Sequence, residues 1–241
     1  MKKLLFTFSL TLLGLTGNAQ LVINGDLNYD GDLNITDIVK IVDIVLGNSP
    51  MSYLTCPDDH HPHLIDLGLS SGTKWACCNV GATAPEDYGG YYAWGETEEK
   101  AVYDQSTYEY YQNDSYLDIG NDIAGTQYDV AHVKWGDFWV MPSIEQQDEL
   151  INNCTYEWTT VNGVYGCRFT RKTNGGSIFL PVAGYRIVSD LLYARFGGCY
   201  WSSTQNPSDS GCAYLYFSYD DIGWLYCYGY YGLTVRPVSS K

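Results

Sequence analysis

The chain has 241 residues, 13 basic and 28 acidic side chains, a net charge of −15, and 45% hydrophobic residues. That acidity excludes nucleic acid and anionic lipid as natural partners, because both would repel it. The apolar content excludes a disordered tail, and about 220 residues beyond the leader suffice for one sizeable domain with a small appendage.

Taken in chain order, Lys2 and Lys3 form a positive start, Leu4 to Leu15 an apolar run, and Gly17-Asn18-Ala19 a small-residue cleavage site. Such a run falls short of the roughly 20 residues needed to span a bilayer and has the shape of a secretory signal. Residues 1–19 are therefore expected to be a cleaved signal peptide, and the mature chain to be secreted or held at the cell surface without a membrane span. The eight cysteines then meet an oxidising compartment, where disulfides are permitted. Their spacing is irregular and lacks paired Cys-x-x-Cys knuckles, which argues against a zinc module.

Residues 20–48 carry the sharpest local motif, Asp26 to Asp37. Oxygen-bearing side chains fall at loop positions 1, 3, 5, 9 and 12, with glycine at position 6 where the chain must turn. These are Asp26, Asn28, Asp30, Asn34 and Asp37, with Gly31 at the turn and Asp32 offering its carbonyl at position 7. Calcium takes six to eight oxygens in flexible geometry, so Ca²⁺ is the expected cofactor. A helix is expected from Asp37 to Leu46, ended by Gly47 and Asn48. Its apolar residues run nearly all the way round, so it needs burial.

This loop and helix resemble one dockerin repeat, ending in Thr36-Asp37 and then Leu46-Gly47-Asn48. The resemblance implies a cohesin-like partner module. Dockerins usually carry two such repeats, whereas only one is present here.

Residues 49–62 form a linker with the stretch Asp58-Asp59-His60-His61. His60, His61 and His63 fit a solvated tail better than a metal site, since Pro62 interrupts them.

From 63 to 241 the chain reads as short strands separated by turns. Candidate strands include Leu64–Leu67, Lys74–Cys77, Tyr165–Thr170, Ser177–Pro181, Cys199–Ser203, Ala213–Ser218 and Leu233–Val238. Asn162-Gly163 and Asn174-Gly175 are turn dipeptides suited to closing hairpins. One clear helix starts at Ser143, whose pairing with Gln146 makes a capping box.

Several stretches resemble the Fibrobacter succinogenes major paralogous domain family. They are Asp66-Leu67-Gly68-Leu69, Ser71-Gly72-Thr73-Lys74-Trp75-Ala76, Cys78-Asn79-Val80-Gly81-Ala82, Tyr88 to Glu96, Trp139-Val140-Met141-Pro142-Ser143, Gly175 to Pro181, Ala183-Gly184-Tyr185-Arg186, Tyr200-Trp201-Ser202-Ser203 and Tyr231 to Val238. The resemblance implies an α+β fold of C-type-lectin-like kind, built of short antiparallel strands with few helices. Trp75, Trp94, Trp139 and Trp201 are expected in its core. The bridge expected among the cysteines is Cys78 to Cys154, the others being left open.

Tyr193 to Tyr231 has a different palette, with nine tyrosines and three cysteines but no lysine, glutamate or methionine. Rigid amphipathic rings beside small polar groups are the composition of a binding surface. Alternation along Ala213 to Tyr219 sends Tyr214, Tyr216 and Ser218 to one face and Leu215 and Phe217 to the core. The candidate ligand-binding residues are Tyr193, Arg195, Phe196, Tyr214, Tyr216, Ser218, Tyr219, Asp220, Tyr226, Tyr228 and Tyr230, expected to meet a glycan or a surface protein. The resemblance also implies ligand residues in this last third. It further implies a face open to adenine-directed retroelement diversification, which can turn Asn codons into Tyr, Ser, Cys, Asp, Gly or Phe but not Lys, Glu or Met.

Enzyme readings are weaker. Gly68-Leu69-Ser70-Ser71-Gly72 has a nucleophile pattern, yet the residues after it read as strand where an elbow needs a helix. Cys199, Cys212 and Cys227 lack the motif of formylglycine-generating enzymes, to which C-type-lectin-like folds extend. The expectation is a secreted, non-enzymatic ligand-binding module. The alternative is a cellulosome-like component of polysaccharide degradation, docked through its N-terminal unit.

Overall fold

The computed structural model describes Ile35, Ile38, residues 63–206 and residues 211–239. The chain divides into two compact units, Met1–Asn48 and Ser49–Lys241. In the first, Ile35 and Ile38 have helical backbone and are 70% and 55% exposed. The expected calcium ligands Asp26, Asn28, Asp30, Asp32, Asn34 and Asp37 lie outside the described residues, as do the signal peptide and the linker.

Thirteen strands and two α-helices make up the regular structure of the second unit's described residues, with one short 3-10 turn at Gln105–Thr107. In chain order they are β1 (Leu64–Asp66), β2 (Lys74–Ala76), β3 (Tyr111–Gln112), β4 (Ser115–Tyr116), α1 (Val130–Trp135), α2 (Ile144–Asn153) and β5 (Cys154–Val161). Then follow β6 (Val164–Arg171), β7 (Ser177–Pro181), β8 (Tyr185–Ile187), β9 (Asp190–Leu192), β10 (Gly197–Gln205), β11 (Gly211–Ser218), β12 (Ile222–Tyr228) and β13 (Val238–Ser239). The sheets are small: β1-β2-β13, β5-β6-β7, β10-β11-β12 and the ribbons β3-β4 and β8-β9. Every strand pair is antiparallel.

This corrects the α+β, C-type-lectin-like expectation. The arrangement leans to an all-β class, since α1 has six residues and α2 ten, too little to form a helical layer beside the sheets.

Local chemistry explains the elements. Asn162 and Gly163 both adopt left-handed backbone, φ 48° and 82°, which closes β5 onto β6 with Val161 opposite Val164. Ser143 caps α2, accepting from the Gln146 amide while the Gln146 side chain accepts from the Ser143 amide. Buried Asp129 caps α1, one oxygen accepting from Ala131 and His132 and the other from Gly125 and Met141. Four amides on one carboxylate tie a six-residue helix to two loops, which offsets the cost of nucleating so short a helix.

The core has two main clusters. Trp94, Trp135, Trp139 and Trp201 centre the first; Trp75, Phe169, Tyr200, Leu215 and Phe217 centre the second. Trp94 Nε1 donates to the Ser202 carbonyl at 2.9 Å and Trp201 Nε1 to that of Tyr92 at 2.7 Å, so both indoles are buried without an orphaned donor. The last described strand, β13, pairs with β2 near the start of the second unit's described residues. Buried Arg236 clamps that pairing, its Nε donating to Asn79 Oδ1 at 2.7 Å and its other nitrogens to carbonyls of Ala76, Cys77 and Pro85.

The Cys78–Cys154 bridge is not formed. Cys154 is a buried thiol in the second cluster, while Cys78 lies in the first. Burial also overturns the tail reading of His63, which is 8% exposed beside Cys77 Sγ.

Candidate functional site

β11 is the middle strand of its sheet, and that position decides what its residues face. Leu215 and Phe217 enter the second core cluster, as alternation requires. Tyr214 and Tyr216 are not a wet row, however: they pack against the first cluster, Tyr214 edge-on to Trp201 at 6.3 Å. Burial pushes the Tyr214 phenol up. The alternation holds, with Leu215 and Phe217 buried, but the opposite face is half-shielded instead of fully wet, Tyr214 bordering a cleft. Ser218 is half-buried and belongs to the hairpin turn, its hydroxyl donating to Asp220 at 3.0 Å and its amide to the Asp221 carbonyl at 2.7 Å.

The wet aromatic surface sits on the edge strand β12 and on two loops. Tyr228 is 53% exposed and lies parallel to Tyr230 with centroids 5.2 Å apart. Tyr230 meets Tyr231 at 5.2 Å, Tyr231 stacks on Tyr185 at 5.8 Å, and Tyr185 stacks on exposed Tyr193 at 6.2 Å. Five rings thus form one continuous wall drawn from β8, the loop after β9, β12 and the segment after it. A cleft of about 90 Å³ opens against it, lined by Tyr185, Cys199, Tyr214, Cys227, Tyr231 and Leu233.

Chemistry in that cleft is constrained by the burial of its thiols. Burial pushes the Cys199 thiol up to about 12 and raises Cys227 as well. Both therefore stay protonated at neutral pH, and a protonated thiol is a poor nucleophile. Burial likewise pushes the Tyr230 phenol up to about 12, leaving it a hydrogen-bond donor.

A second aromatic set lies elsewhere. Exposed Tyr219 meets Trp158 edge-on at 6.1 Å, and Trp158 stacks on Tyr165 at 6.4 Å. Tyr165 borders a groove of about 250 Å³ shared with Tyr88, Gly163, Val164 and Arg195. Trp224 and Tyr226 form an exposed edge-to-face pair at 5.7 Å on β12. Phe196 is 73% exposed and Asp220 is exposed at the hairpin tip.

Of the residues chosen from sequence, Tyr193, Tyr228 and Tyr230 come together, whereas Arg195 and Tyr219 belong to the second set. Tyr185, Tyr231, Trp224 and Tyr88 were missed. Tyr185 stood in a motif that looked architectural, and Trp224 was one apolar residue beside Ile222 and Leu225.

Ser70 of the Gly-x-Ser-x-Gly stretch lies in the turn between antiparallel β1 and β2, donating to Glu149 Oε1 at 2.7 Å. Among the described residues, no helix is long and apolar enough to cross a membrane.

No family model matches the chain, and neither a curated protein nor a solved structure does.

Proposed function

We propose that the mature chain is a secreted, non-enzymatic recognition module that holds a glycan against the Tyr193–Tyr185–Tyr231–Tyr230–Tyr228 wall, with Ca²⁺ in the Asp26–Asp37 loop. The observation that carries this reading is the continuity of the wall: parallel and edge-on rings 5.2–6.2 Å apart, with exposed members at both ends. Tyrosine rings offer a flat apolar face to the C–H faces of sugars and a phenol to their hydroxyls, at low entropic cost. An exposed aromatic patch on an otherwise acidic surface is a binding feature by default. The shallow cleft suits a chain lying along the surface better than a small molecule engulfed in a pocket.

A glycan array probed with wild type and a Tyr228→Ala, Tyr230→Ala variant tests this. Wild type captures a defined glycan class and the variant loses it; a wild type that captures no glycan removes the reading.

A docking role for the N-terminal unit is the second reading, favoured by the exposure of Ile35 and Ile38. Pull-down by a cohesin-like module, lost on chelation, supports it, and no pull-down in either condition removes it.

A further inference from the structure

The groove between Tyr88, Gly163, Val164, Tyr165 and Arg195 is assembled from three segments distant in sequence. One is the loop after Pro85, one the tip of the β5–β6 hairpin, and one the loop Tyr193–Phe196 after β9. Two residues of that last loop, Tyr193 and Arg195, hold left-handed backbone at φ 61° and 73°. Long side chains avoid that conformation, and such strain gathers where a fold must present a side chain to a ligand. The Arg195 amide donates to the Val182 carbonyl at 3.0 Å, which fixes the loop. Gly184 underlies it, its own amide bonded to the Gly197 carbonyl at 2.9 Å.

The Arg195 guanidinium is exposed and makes no ion pair or hydrogen bond among the described residues. The chain has 28 acidic side chains, yet none among the described residues pairs with this cation. The acids next to Tyr88 in sequence are already hydrogen-bonded, Glu86 at the rim of the groove. Glu86 accepts from Asn162 Nδ2, and Asp87 accepts from the amide and hydroxyl of Thr83. Both carboxylates thus have hydrogen-bond partners other than Arg195.

The walls complete the chemistry. Tyr165 is 49% exposed and presents its ring beside the groove while Trp158 backs it. The Tyr88 phenol, raised mainly by burial and lowered in part by the Arg195 charge, remains a donor at neutral pH. A planar fork of donors fits a carboxylate in bidentate fashion, and a ring face fits the apolar side of a sugar. The groove's volume of about 250 Å³ is below the ~300 Å³ at which clefts begin to hold drug-sized ligands, so a single ring is the right scale. The net charge of −15 opposes a polyanion but not one isolated carboxylate.

We propose that this groove binds one carboxylated sugar at the end of a glycan chain, Arg195 gripping the carboxylate and Tyr165 and Tyr88 holding the ring. This rests on the glycan reading above and assigns it an anionic subsite apart from the tyrosine wall.

The test is an NMR titration of the mature chain with methyl β-glucuronide and methyl β-glucoside. The glucuronide should bind at least ten-fold more tightly and shift the Gly163 and Val164 amides. Arg195→Gln should abolish that preference, and Arg195→Lys should restore only part of it, because lysine keeps the charge and loses the fork. Tyr165→Ala should weaken both sugars alike, which guards against a fold defect confined to the arginine variants. Shifts at Gly163 that persist in the Tyr228→Ala, Tyr230→Ala variant support the groove independently of the wall. Equal affinity for the two glycosides, or an Arg195→Gln protein that keeps the preference, overturns the proposal even where the wall binds glycans.

Discussion

Tyr185 and Tyr231 lie 46 positions apart in the chain, yet their rings stack within 6° of parallel at 5.8 Å. This contact joins the β8–β9 ribbon to the C-terminal segment and makes the tyrosine wall continuous. It also places the Cys199–Cys227 cleft directly beneath the wall's centre, because both rings line it.

The covered position of Tyr214 makes it a stability residue first. Its ring is half-buried and edge-on to fully buried Trp201. Tyr214→Ala is expected to cost about 2–4 kcal/mol of unfolding free energy, somewhat less than the roughly 3–5 kcal/mol for a fully buried aromatic because the ring is half-buried. Denaturant unfolding measures this; a loss of binding with unchanged stability would return Tyr214 to the surface.

Gly184 has φ +63°, and a Cβ there would meet the Leu192 carbonyl oxygen and the Ala194 amide, both closer than 3.0 Å. Both obstacles are backbone, so neither rotates away. Gly184→Ala is expected to destabilise by about 2 kcal/mol or more and to displace the Tyr193–Arg195 loop. Thermal unfolding reads the first effect and the amide shifts of Tyr193 to Phe196 the second.

Glu149 ties the turn before β2 to α2 by accepting from Ser70 and Ser71. Partial burial raises its carboxyl, but the hydroxyl and amide donors outweigh it and hold it below the usual range. A carboxyl lowered on folding contributes stability that is present above its unfolded value, about 4.3, and fades as pH falls through the folded one. The group is mostly solvent-facing, so the contribution should stay under about 1 kcal/mol. The difference in stability between wild type and Glu149→Gln should therefore shrink below pH 4; a constant difference would contradict this.

Calcium should bind the mature chain with one-to-one stoichiometry. Saturation at 100 times Kd would stabilise the binding unit by about 2.7 kcal/mol. Calorimetric titration before and after Asp26→Ala, Asp30→Ala substitution checks it, and calcium uptake by the doubly substituted chain would refute the loop.

What was legible in the sequence was short-range. Asn162-Gly163 and the Ser143–Gln146 box act within four residues, and the four tryptophans Trp75, Trp94, Trp139 and Trp201 have too much apolar area to be left in water. The pattern on β11 showed two faces but not what covers each, since the partner of Tyr214 is Trp201 on a neighbouring strand. Helix α1 was invisible because six residues give no usable period, and its anchor is a single buried aspartate, Asp129. Tyr185 joins Tyr231 and Tyr88 joins Tyr165 across more than 40 residues, which no local pattern carries.

The most direct test of the tyrosine wall is calorimetric titration of the mature chain and its Tyr228→Ala, Tyr230→Ala variant with the glycan the array selects. Loss of exposed Tyr228 and half-buried Tyr230 should weaken binding by roughly ten-fold or more, and Tyr228→Ala alone, which spares the core contacts of Tyr230, should weaken it with little change in the unfolding midpoint. Equal affinity in both proteins would show that the wall is not where the glycan is held.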